Sequence, residues 1–463
     1  MKTVRISEDV SYAYSADVVV IGGGPAGFCA AVAAAREGTK TILVEANGCA
    51  GGMATSGLVG PFMTSYDKDG ETMIIRGLFE EIVERLVERD GAIHPSKVRA
   101  GTAFSSWIVV GHDHLTPFEP EVLKRLMDDM LEEAGVTTLY HTEFVMPVMD
   151  GERLTGVVVS SKSGLQAIEG KVFIDCTGDA DVAYRAGVPC SKGNEELGIT
   201  QPASLFFRIG NVNLNAVEAD IQANKDNFYR KDGVNYRSFH WRVKEAKDNG
   251  DWPLDRVSIG MFRGVKPDEW SINTTRIMNV DATNNASLTR GEIEGRKQVE
   301  VVFDFLKKYV PGCENAKMLG TASTLGIRES RHIKGEYTMV QDDILEGHVP
   351  EDAILLLSNS IDVHGRFGPL SNSYIPIRNG KWYGVPYRAL VPQYVEGLLV
   401  AGRCISATAD AAGGIRLMPP CAGTGQAAGT AAALAVEFDC TVGKLDPAKL
   451  RARLKERGAY LTE

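Results

Sequence analysis

The stretch VVVIGGGPAG, residues Val18–Gly27, decides the fold of this chain. It joins a run of β-branched residues to a turn with glycines in the pattern Gly-x-Gly-x-x-Gly. In a turn between a strand and a helix, Gly22 allows the tight bend, Gly24 lets a pyrophosphate approach the backbone, and Gly27 lets the helix pack closely on the strand. The helix N-terminus then faces the phosphate charge. The stretch therefore predicts a dinucleotide-binding unit.

The flanking residues complete a β–turn–α–β unit. After a polar lead-in at 1–16, the pattern predicts a buried strand at 17–21, an alanine-rich helix at 26–37 and a second strand at 41–44. Glu45 ends the second strand, 18 residues past the last glycine of the turn. Its carboxylate can accept hydrogen bonds from ribose hydroxyls and would repel a 2′-phosphate, so the unit favours FAD or NAD.

Three further glycine-rich stretches distinguish FAD from NAD. NGCAGGMATSG (47–57) directly follows the acid, IDCTGDAD (174–181) ends a later predicted strand, and LLVAGR (398–403) precedes RLMPPCAGTGQAAG (416–429). An NAD domain normally needs only the first fingerprint. Several separated glycine-rich contacts are typical of the longer FAD, so we expect the chain to wrap one FAD.

The last of these stretches predicts a slim helix of alanine and glycine that lies close to the nucleotide fold. We expect its N-terminus, near Gly425 and Gln426, to direct N–H groups at the pyrimidine edge of the flavin. Cys421 has two interpretations, a redox nucleophile or a packing residue beside the flavin. The eight cysteines of the chain contain no C-x-x-C pair, which favours packing and argues against a disulfide reductase.

The amino-acid composition limits which classes of molecule the protein can bind. The chain has 463 residues, 44% of them hydrophobic, and a net charge of −10, which argues against nucleic acid and anionic membranes as main partners. The uncharged stretch 18–35 follows acids and contains glycines and a proline, so it predicts neither a signal peptide nor a membrane span. We expect a cytoplasmic protein with a small-molecule substrate, and the sequence leaves homo-oligomerisation open.

The predicted fold class is α/β, a Rossmann-like FAD-binding domain with an inserted mixed, β-rich substrate domain. The FAD domain is predicted from 1–194 and 386–463. The insertion is predicted at 195–385, where aromatic residues and short alternating runs dominate. The insertion contains no second Gly-x-Gly-x-x-Gly, so we expect no built-in NAD(P)H domain but a separate electron donor or acceptor.

With NTTRI, LGIRESRHIKGEY and VPYRALVP, these stretches resemble the flavoprotein family of FAD-dependent oxidoreductases, relatives of the fumarate-reductase and glutathione-reductase FAD folds. The resemblance spans about residues 17–436. It implies FAD as cofactor, but the family covers many reactions and the resemblance specifies none of them. One departure is Ala409, which stands where relatives often have a histidine, so no acid–base role is carried to that position.

The resemblance also implies which residues contact FAD. These are Gly22, Gly24, Pro25, Ala26 and Gly27 at the pyrophosphate, Glu45 and Ala46 at ribose and adenosine, Gly52, Met53, Ala54 and Thr55 beside phosphate and flavin, Val145 at the adenine, Thr177, Gly178 and Asp181 along the adenosine, Gly402 and Arg403 at the ribityl chain, and Gly425 and Gln426 at the pyrimidine edge.

The candidate catalytic residues are Arg328, His364 and Arg416. Arg328 lies in the charged stretch RESRH, where a guanidinium can bind a carboxylate or a polarised oxygen, or where Glu329 can form an internal salt bridge with the neighbouring arginines. His364 follows Asp362 in SIDVHG and is either a general base or a structural histidine. Arg416 could meet the substrate or flavin O2.

No metal site is expected, since His112 and His114 have metal-like spacing but no further ligand is evident. The predicted function is an FAD-dependent oxidoreductase that transfers hydride between a small polar organic substrate and flavin N5. The alternatives are a non-catalytic flavoprotein, acting as a redox sensor or partner-assembly protein, and an NAD enzyme without flavin.

Overall fold

A computed structural model of the chain describes residues 3–4, 7–194, 199–231, 234–365 and 372–462. Residue 195, the first of the predicted insertion, lies outside them. The strands are β1 (Tyr12–Ile21), β2 (Thr41–Val44), β3 (Thr137–Leu139), β4 (Glu143–Asp150), β5 (Arg153–Ser161), β6 (Gly164–Asp175), β7 (Cys190–Lys192), β8 (Phe207–Gly210), β9 (Tyr229–Lys231), β10 (Val234–Tyr236), β11 (Met261–Arg263), β12 (Trp270–Ile272), β13 (Lys317–Thr321), β14 (Arg331–Ile333), β15 (Ala353–Leu357), β16 (Ile361–His364), β17 (Asn372–Ile375), β18 (Tyr383–Pro386) and β19 (Leu398–Val400).

The α-helices lie between these strands and after the last one. They are α1 (Pro25–Arg36), α2 (Leu78–Glu88), α3 (Pro120–Ala134), α4 (Asp181–Arg185), α5 (Leu214–Asn224), α6 (His240–Asp248), α7 (Asn285–Tyr309), α8 (Gln341–Leu345), α9 (Ala409–Ile415), α10 (Met418–Glu437) and α11 (Pro447–Glu456).

The main sheet has the strand order β3-β2-β1-β6-β5-β4. Strands β3, β2, β1 and β6 are parallel, as crossover connections through helices require, whereas β5 and β4 are antiparallel to their neighbours. The long strand β6 pairs with β5 along its first half and with β19, in parallel, at its end. The carboxyl ends of β1, β2, β6 and β19 therefore meet at one edge. The parallel core confirms the predicted α/β, Rossmann-like fold class.

Most predicted elements near this sheet are found with small boundary changes. The strand at 41–44 is confirmed, and the helix predicted at 26–37 begins one residue earlier, at Pro25, which occupies a first-turn position where its missing N–H costs nothing. The prediction of a polar lead-in at 1–16 is wrong in part, because residues 12–16 already belong to β1. They pair with residues 167–170 of β6, and only the main-chain pairing reveals the strand since most of their side chains are not buried.

The molecule has two buried apolar cores. The first surrounds the main sheet and includes Ile333, Leu356 and Tyr383 as well as α1 and α10. The second is formed mainly from residues 203–325 and surrounds an antiparallel sheet with the order β11-β12-β8-β13. The predicted domain boundaries at 194 and 385 stay a prediction, and the division between the cores falls elsewhere, since β14, β15 and β18 contribute to the first core.

Candidate functional site

The glycine turn after β1 uses each of its glycines differently. Gly22 has a φ of +93°, and a Cβ there would lie 2.6 Å from the carbonyl oxygen of Cys176 in the chain after β6. A Cβ on Gly27 would lie 1.7 Å from the carbonyl oxygen of Gly22, so α1 packs directly on the turn. Gly24 differs from both, because a Cβ there would meet nothing within 4 Å. The open backbone at Gly24 is the kind of cradle that a phosphate group requires.

Glu45 lies at the carboxyl end of β2 and is buried beside the same turn. Its carboxylate accepts hydrogen bonds from the N–H of Gly23 at 2.5 Å and from the N–H of Asn47 at 2.7 Å. Each carboxylate oxygen has more than one lone pair, and Oε1 also accepts a bond from the side-chain amide of Asn47 at 2.7 Å. The acid is therefore held rigidly where the predicted ribose would lie.

The loop after Glu45 folds back onto the glycine turn. The N–H of Gly51 donates to the carbonyl oxygen of Gly23 at 2.8 Å. Gly52 has a φ of +48°, and a Cβ there would lie 2.9 Å from the Cα of Gly24. Met53 and Ala54 continue from Gly52 in one turn of 3₁₀-helix. This loop forms a second wall of the open space at Gly24.

The segment after β6 forms another edge of the same region. The Asp175 carboxylate accepts bonds from the N–H and hydroxyl of Thr177 and from the N–H of Ala183, which anchors the first turn of α4. Burial raises the pKa of Asp175 to about 6, although these bonds oppose the shift. Gly178 has a φ of +79° and packs against the Arg403 guanidinium.

Arg403 and Asp181 are both engaged in contacts within the protein. Arg403 donates to the carbonyl oxygen of Ile327 at 2.7 Å and to the Asp179 carboxylate at 2.8 Å. Asp181 forms an ion pair with Arg331 at 2.9 Å. The predicted contacts of Arg403 and Asp181 with the cofactor stay predictions. Because the Arg403 guanidinium is already engaged, a contact of Arg403 with the ribityl chain would have to come from its backbone, next to Gly402.

Val145 lies on β4 at an irregularity in its pairing with β5. The carbonyl oxygen of Val145 accepts a bond from the Arg185 guanidinium at 2.8 Å. A bulge leaves one residue out of the regular ladder, which frees its backbone for another partner. The predicted adenine contact of Val145 is therefore left to the N–H rather than the carbonyl, and it stays a prediction.

The start of α10 corrects the sequence analysis. The helix begins at Met418, so Gly425 and Gln426 lie inside it and not at its N-terminus. The prediction of the N-terminus near Gly425 is wrong because Pro419 and Pro420 occupy the first turn of the helix, where proline is favourable. With prolines at two of the first three positions, only Met418 keeps an N–H there to donate.

Gly425 and Gln426 have structural contacts inside α10. A Cβ on Gly425 would lie 2.0 Å from the carbonyl oxygen of Ala26, and one on Gly429 would lie 2.1 Å from that of Ala30. The two helices α1 and α10 therefore cross with their backbones almost touching, as the alanine–glycine composition predicts. The Gln426 side chain accepts a bond from the N–H of Leu78 at 2.9 Å, which satisfies a donor at the start of α2.

Cys421 is buried in the first turns of α10. Burial raises its pKa to about 12, and its thiol donates to the carbonyl oxygen of Arg416 at 3.5 Å. All eight cysteines are free. A thiol with a raised pKa is a poor nucleophile, which agrees with the packing interpretation.

A second group of polar side chains lies at the boundary between the two cores. Nε2 of His364 is 3.1 Å from Oδ2 of Asp362 on the same strand, β16. The Arg416 guanidinium donates to the carbonyl oxygen of Asp362 at 2.9 Å and lies 3.7 Å from its carboxylate. The structure therefore brings together His364 and Arg416, which the sequence analysis selected separately.

The charge states of this group follow from its surroundings. Burial alone would raise the pKa of Asp362, but His364, Arg416 and Arg328 outweigh it and hold that pKa well below its usual range. Burial lowers the pKa of His364 to about 4, although Asp362 opposes the shift. At neutral pH the pair therefore consists of a carboxylate and a neutral imidazole.

Arg328, the third predicted residue, lies near this pair. It donates to the carbonyl oxygen of Pro202 at 2.6 Å and to the Ser204 hydroxyl at 3.0 Å. Burial, with repulsion from Arg416, lowers its pKa to about 9, so it stays cationic at neutral pH. The expected salt bridge of Glu329 with its neighbouring arginines does not form among the described residues. Glu329 instead accepts a bond from the N–H of Gln201 at 2.9 Å.

Sequence reasoning missed three further arginines of this region. Together with Arg328 and Arg416 they form what we call the arginine cluster, whose additional members are Arg237, Arg256 and Arg276. Burial and mutual repulsion lower the pKa of Arg256 to about 9, and burial also lowers those of Arg237 and Arg276. Arg276 lies within the quoted stretch NTTRI, but nothing in the sequence connects it to residues 328 or 416.

Several buried polar atoms in this region have no hydrogen-bond partner in the structure. They are Nε of Arg256, Nε of Arg416, Nε2 of Gln201 and Oε1 of Glu329. Buried polar groups are nearly always paired in native proteins, so a group of unpaired ones indicates a place where a ligand or water belongs.

The remaining candidates are structural. His112 stacks on Phe262, and burial lowers its pKa to about 4. His114 is hydrogen-bonded to the carbonyl oxygen of Pro95 at 3.1 Å and to Arg99 at 2.8 Å. Across the part of the chain that the structure describes, no three His, Cys, Asp or Glu residues are arranged to hold a metal ion.

The nucleotide-facing residues fit FAD in two respects. The backbone at Gly24 is open where a pyrophosphate is required, with the N-terminus of α1 beside it, and Glu45 lies at the strand end where ribose hydroxyls are bound. Within the described ranges, no helix is long and apolar enough to cross a bilayer.

Comparison with known proteins gives the family. The family model described as FAD dependent oxidoreductase matches residues 17–454. Mitochondrial dihydrolipoyl dehydrogenase of Caenorhabditis elegans is 49% identical over 47 residues, which are 10% of each chain, so the match covers about a tenth of that relative's length.

Solved structures with a similar chain path share little sequence with it. A geranylgeranyl bacteriochlorophyll reductase-like protein of Thermoplasma acidophilum is 13% identical, with a TM-score of 0.45 over 96% of this chain and 84% of that one. A triple mutant of the flavin-dependent brominase Bmp2 is 13% identical, with a TM-score of 0.48 over 95% of this chain and 84% of that one.

Proposed function

The chain belongs to the family of FAD-dependent oxidoreductases, and on this basis we propose that it transfers hydride between a small polar organic substrate and flavin N5. FAD is its cofactor. The isoalloxazine ring, when bound, accepts or donates a hydride at N5 and leaves the accompanying proton to the protein. The observation that supports an enzyme is the half-buried Asp362–His364 pair, which provides a group for that proton.

His364 holds the proton in this proposal. Its Nε2 faces the Asp362 carboxylate, so the hydrogen-bond network assigns the N–H to Nε2 and the free lone pair to Nδ1. With a pKa near 4, the imidazole is neutral and able to accept a proton at physiological pH. In the oxidative direction, which the neutral imidazole favours, Nδ1 takes the substrate proton while the hydride leaves.

Asp362 and Arg416 act as positioning residues. The carboxylate fixes the tautomer and ring orientation of His364, as an acid does in other acid–His pairs. Arg416 holds the backbone of Asp362 and stabilises its negative charge. Arg328 is held by its hydrogen bonds to Pro202 and Ser204. Its guanidinium provides the cation that binds and orients a substrate oxygen.

A complete turnover needs a separate electron donor or acceptor, and this partner is part of the proposal. It follows from the absence of a second dinucleotide fingerprint in the sequence. We also propose a cytoplasmic location, because all eight cysteines are free thiols.

The test begins with the purified holoprotein. We expect a yellow flavin spectrum that one or more metabolites bleach in the absence of oxygen. Retention of flavin with no bleaching by any metabolite, and no reoxidation of reduced flavin by any, would instead indicate the non-catalytic flavoprotein.

Variants then test the pair with whichever compound bleaches the flavin. We expect His364→Gln to keep FAD but to slow flavin reduction about 10²–10⁴-fold, the contribution typical of a general base. The control is His94→Gln, since among the described residues the His94 side chain bonds only to Ser96. Equal reduction rates in the two variants would remove His364 from the mechanism.

A further inference from the structure

We propose that the substrate is a small organic acid, and that Arg256, Arg328 and Arg416 bind its carboxylate. This substrate class rests on the proposed function, since the Asp362–His364 pair is taken as the place where the substrate reacts. It goes beyond a small polar molecule by specifying the charge and the functional group that the protein recognises.

The three arginines come from distant segments, and Arg256 and Arg416 each lie close enough to Arg328 to repel it. Arg256 lies between α6 and β11, Arg328 follows β13, and Arg416 connects α9 to α10. Arg328 is repelled by both Arg416 and Arg256 and attracted by Asp362. Convergence of like charges from three segments costs stability, so it requires a compensating interaction.

The described part of the chain supplies little compensation for these guanidinium groups. Arg328 donates only to the neutral oxygens of Pro202 and Ser204. Arg256 has a buried Nε without a partner, and Arg416 has another. A buried guanidinium without an anion pays a desolvation cost that an incoming carboxylate would offset.

Within the described ranges, Asp362 and Glu329 are the carboxylates that act on Arg328 and Arg416. Asp362 is ionised, but His364 and Arg416 already occupy it. Burial raises the pKa of Glu329, which weakens it as a counterion, and its Oε1 has no partner. The local charge is therefore positive, and a planar carboxylate matches the paired N–H donors of a guanidinium better than a neutral oxygen does.

The arginines also lie next to the predicted path of the cofactor. The Cys421 thiol donates to the carbonyl oxygen of Arg416 at 3.5 Å and lies 3.8 Å from the position of a Cβ on Gly402. That position is in turn 3.0 Å from the Cβ of Ala26, in the glycine turn. A small acid bound by Arg416 therefore has both His364 and the cofactor region nearby.

The direct test uses the holoprotein and needs no variant. Malonate, succinate, fumarate and lactate are titrated against the oxidised flavin spectrum, in parallel with malonamide, succinamide, fumaramide and lactamide, and with inorganic phosphate and sulfate. We expect at least one carboxylate to give a saturable spectral change and to bind at least tenfold more tightly than its amide and than either inorganic anion.

Variants identify the arginines responsible. We expect Arg328→Gln and Arg256→Gln each to weaken that carboxylate at least tenfold while the flavin content stays unchanged. The matched control is Arg242→Gln, because Arg242 pairs with Asp220 at the surface of the same core, away from the arginine cluster. Flavin content and far-ultraviolet circular dichroism report whether each variant has folded.

The outcomes separate the two proposals. No saturable change with any carboxylate, equal binding of acid and amide, or tighter binding of phosphate or sulfate would overturn the substrate class. If a neutral metabolite still bleaches the flavin, the oxidoreductase proposal survives that result. Carboxylate binding without bleaching by any metabolite would support the binding site and remove the proposed turnover.

Discussion

The glycine turn and the arginine cluster recognise ligands in opposite ways. At Gly22–Gly27 the protein offers open backbone at Gly24, while Gly22 and Gly27 are required because neighbouring main chain leaves no room for a Cβ there. At the boundary between the cores it offers long cationic side chains, several of them with buried atoms that have no partner. The glycine turn depends on the absence of side chains, and the arginine cluster depends on several positively charged side chains lying close together.

This difference teaches which parts of a site tolerate change. A backbone site depends on close packing, so one added methyl group acts on the whole fold. A side-chain site depends on charge, so a substitution there acts on ligand binding and pH dependence first. The predictions below test this contrast, beginning with the largest expected effect.

Gly27→Val should abolish the folded flavoprotein. Its Cβ would lie 1.7 Å from the carbonyl oxygen of Gly22 and 3.0 Å from the Cβ of Cys176, and the Gly22 main chain cannot move away without disrupting the turn. We expect loss of soluble, yellow protein, measured as flavin bound per chain after purification. The control is Gly320→Ala, where a Cβ meets nothing within 4 Å. Normal flavin content in Gly27→Val would contradict the close contact of α1 with the turn.

Acid should lower the free energy of unfolding of the protein. Burial holds the pKa of His112, His332 and His364 near 4, below the usual 6.5, so the unfolded chain binds more protons between these values. The free energy of unfolding therefore falls as pH drops from about 6.5 to about 4, by up to about 3 kcal/mol for each histidine. Asp175 opposes this, because its raised pKa means that the folded state gains a proton near pH 6.

Urea unfolding at pH 7 and at pH 4.5 measures the net effect. Asp181, Glu80, Glu329 and Glu336, whose pKa values burial also raises, act with Asp175 against the three histidines, and we expect the histidines to prevail and the midpoint to be lower at pH 4.5. A midpoint that stays constant or rises would show that these histidines are not held neutral in the folded protein.

Gly24→Ala should weaken FAD binding while leaving the fold intact. Gly24 has a φ of −63°, which alanine adopts without strain, and its Cβ would meet no protein atom within 4 Å. If the pyrophosphate lies there, we expect roughly tenfold weaker FAD binding, about 1.4 kcal/mol. Reconstitution of apoprotein with FAD measures the affinity, and unchanged affinity would move the phosphates away from Gly24.

Cys421→Ser should have the smallest effect. The thiol is buried with a pKa near 12, and it donates to the carbonyl oxygen of Arg416, which a serine hydroxyl can also reach. We expect FAD to stay bound and to be reduced at the wild-type rate. Loss of reduction with FAD still bound would restore the redox interpretation of this cysteine.

The sequence predicts the two regions unequally. Glycine spacing between a strand and a helix is a local pattern, so Gly22, Gly24, Gly27 and Glu45 are identified from their neighbours alone. The arginine cluster is different, because Arg256 and Arg276 are distant along the chain from Arg328 and come near it only after folding, and Arg237 likewise comes near Arg256. No local pattern distinguishes them from surface arginines.

The prediction of where α10 begins was wrong for another reason. Two consecutive prolines usually interrupt a helix, and only their position in its first turn makes them compatible with one. The strand at residues 12–16 was missed because hydrophobicity predicts buried strands, whereas this segment is held by main-chain pairing with β6.

The close crossing of α1 and α10 bears on how the protein is made. The Ala26 and Ala30 carbonyls that Gly425 and Gly429 cover are synthesised about four hundred residues earlier. Until α10 has left the ribosome, the face of α1 that packs against α10 is exposed. At that stage β6 also lacks its partner β19. A nascent chain therefore carries its nucleotide fingerprint long before it can complete the cofactor site, which requires α10 and β19 to have been synthesised. Truncated products should bind FAD poorly and expose α1 to chaperones and proteases.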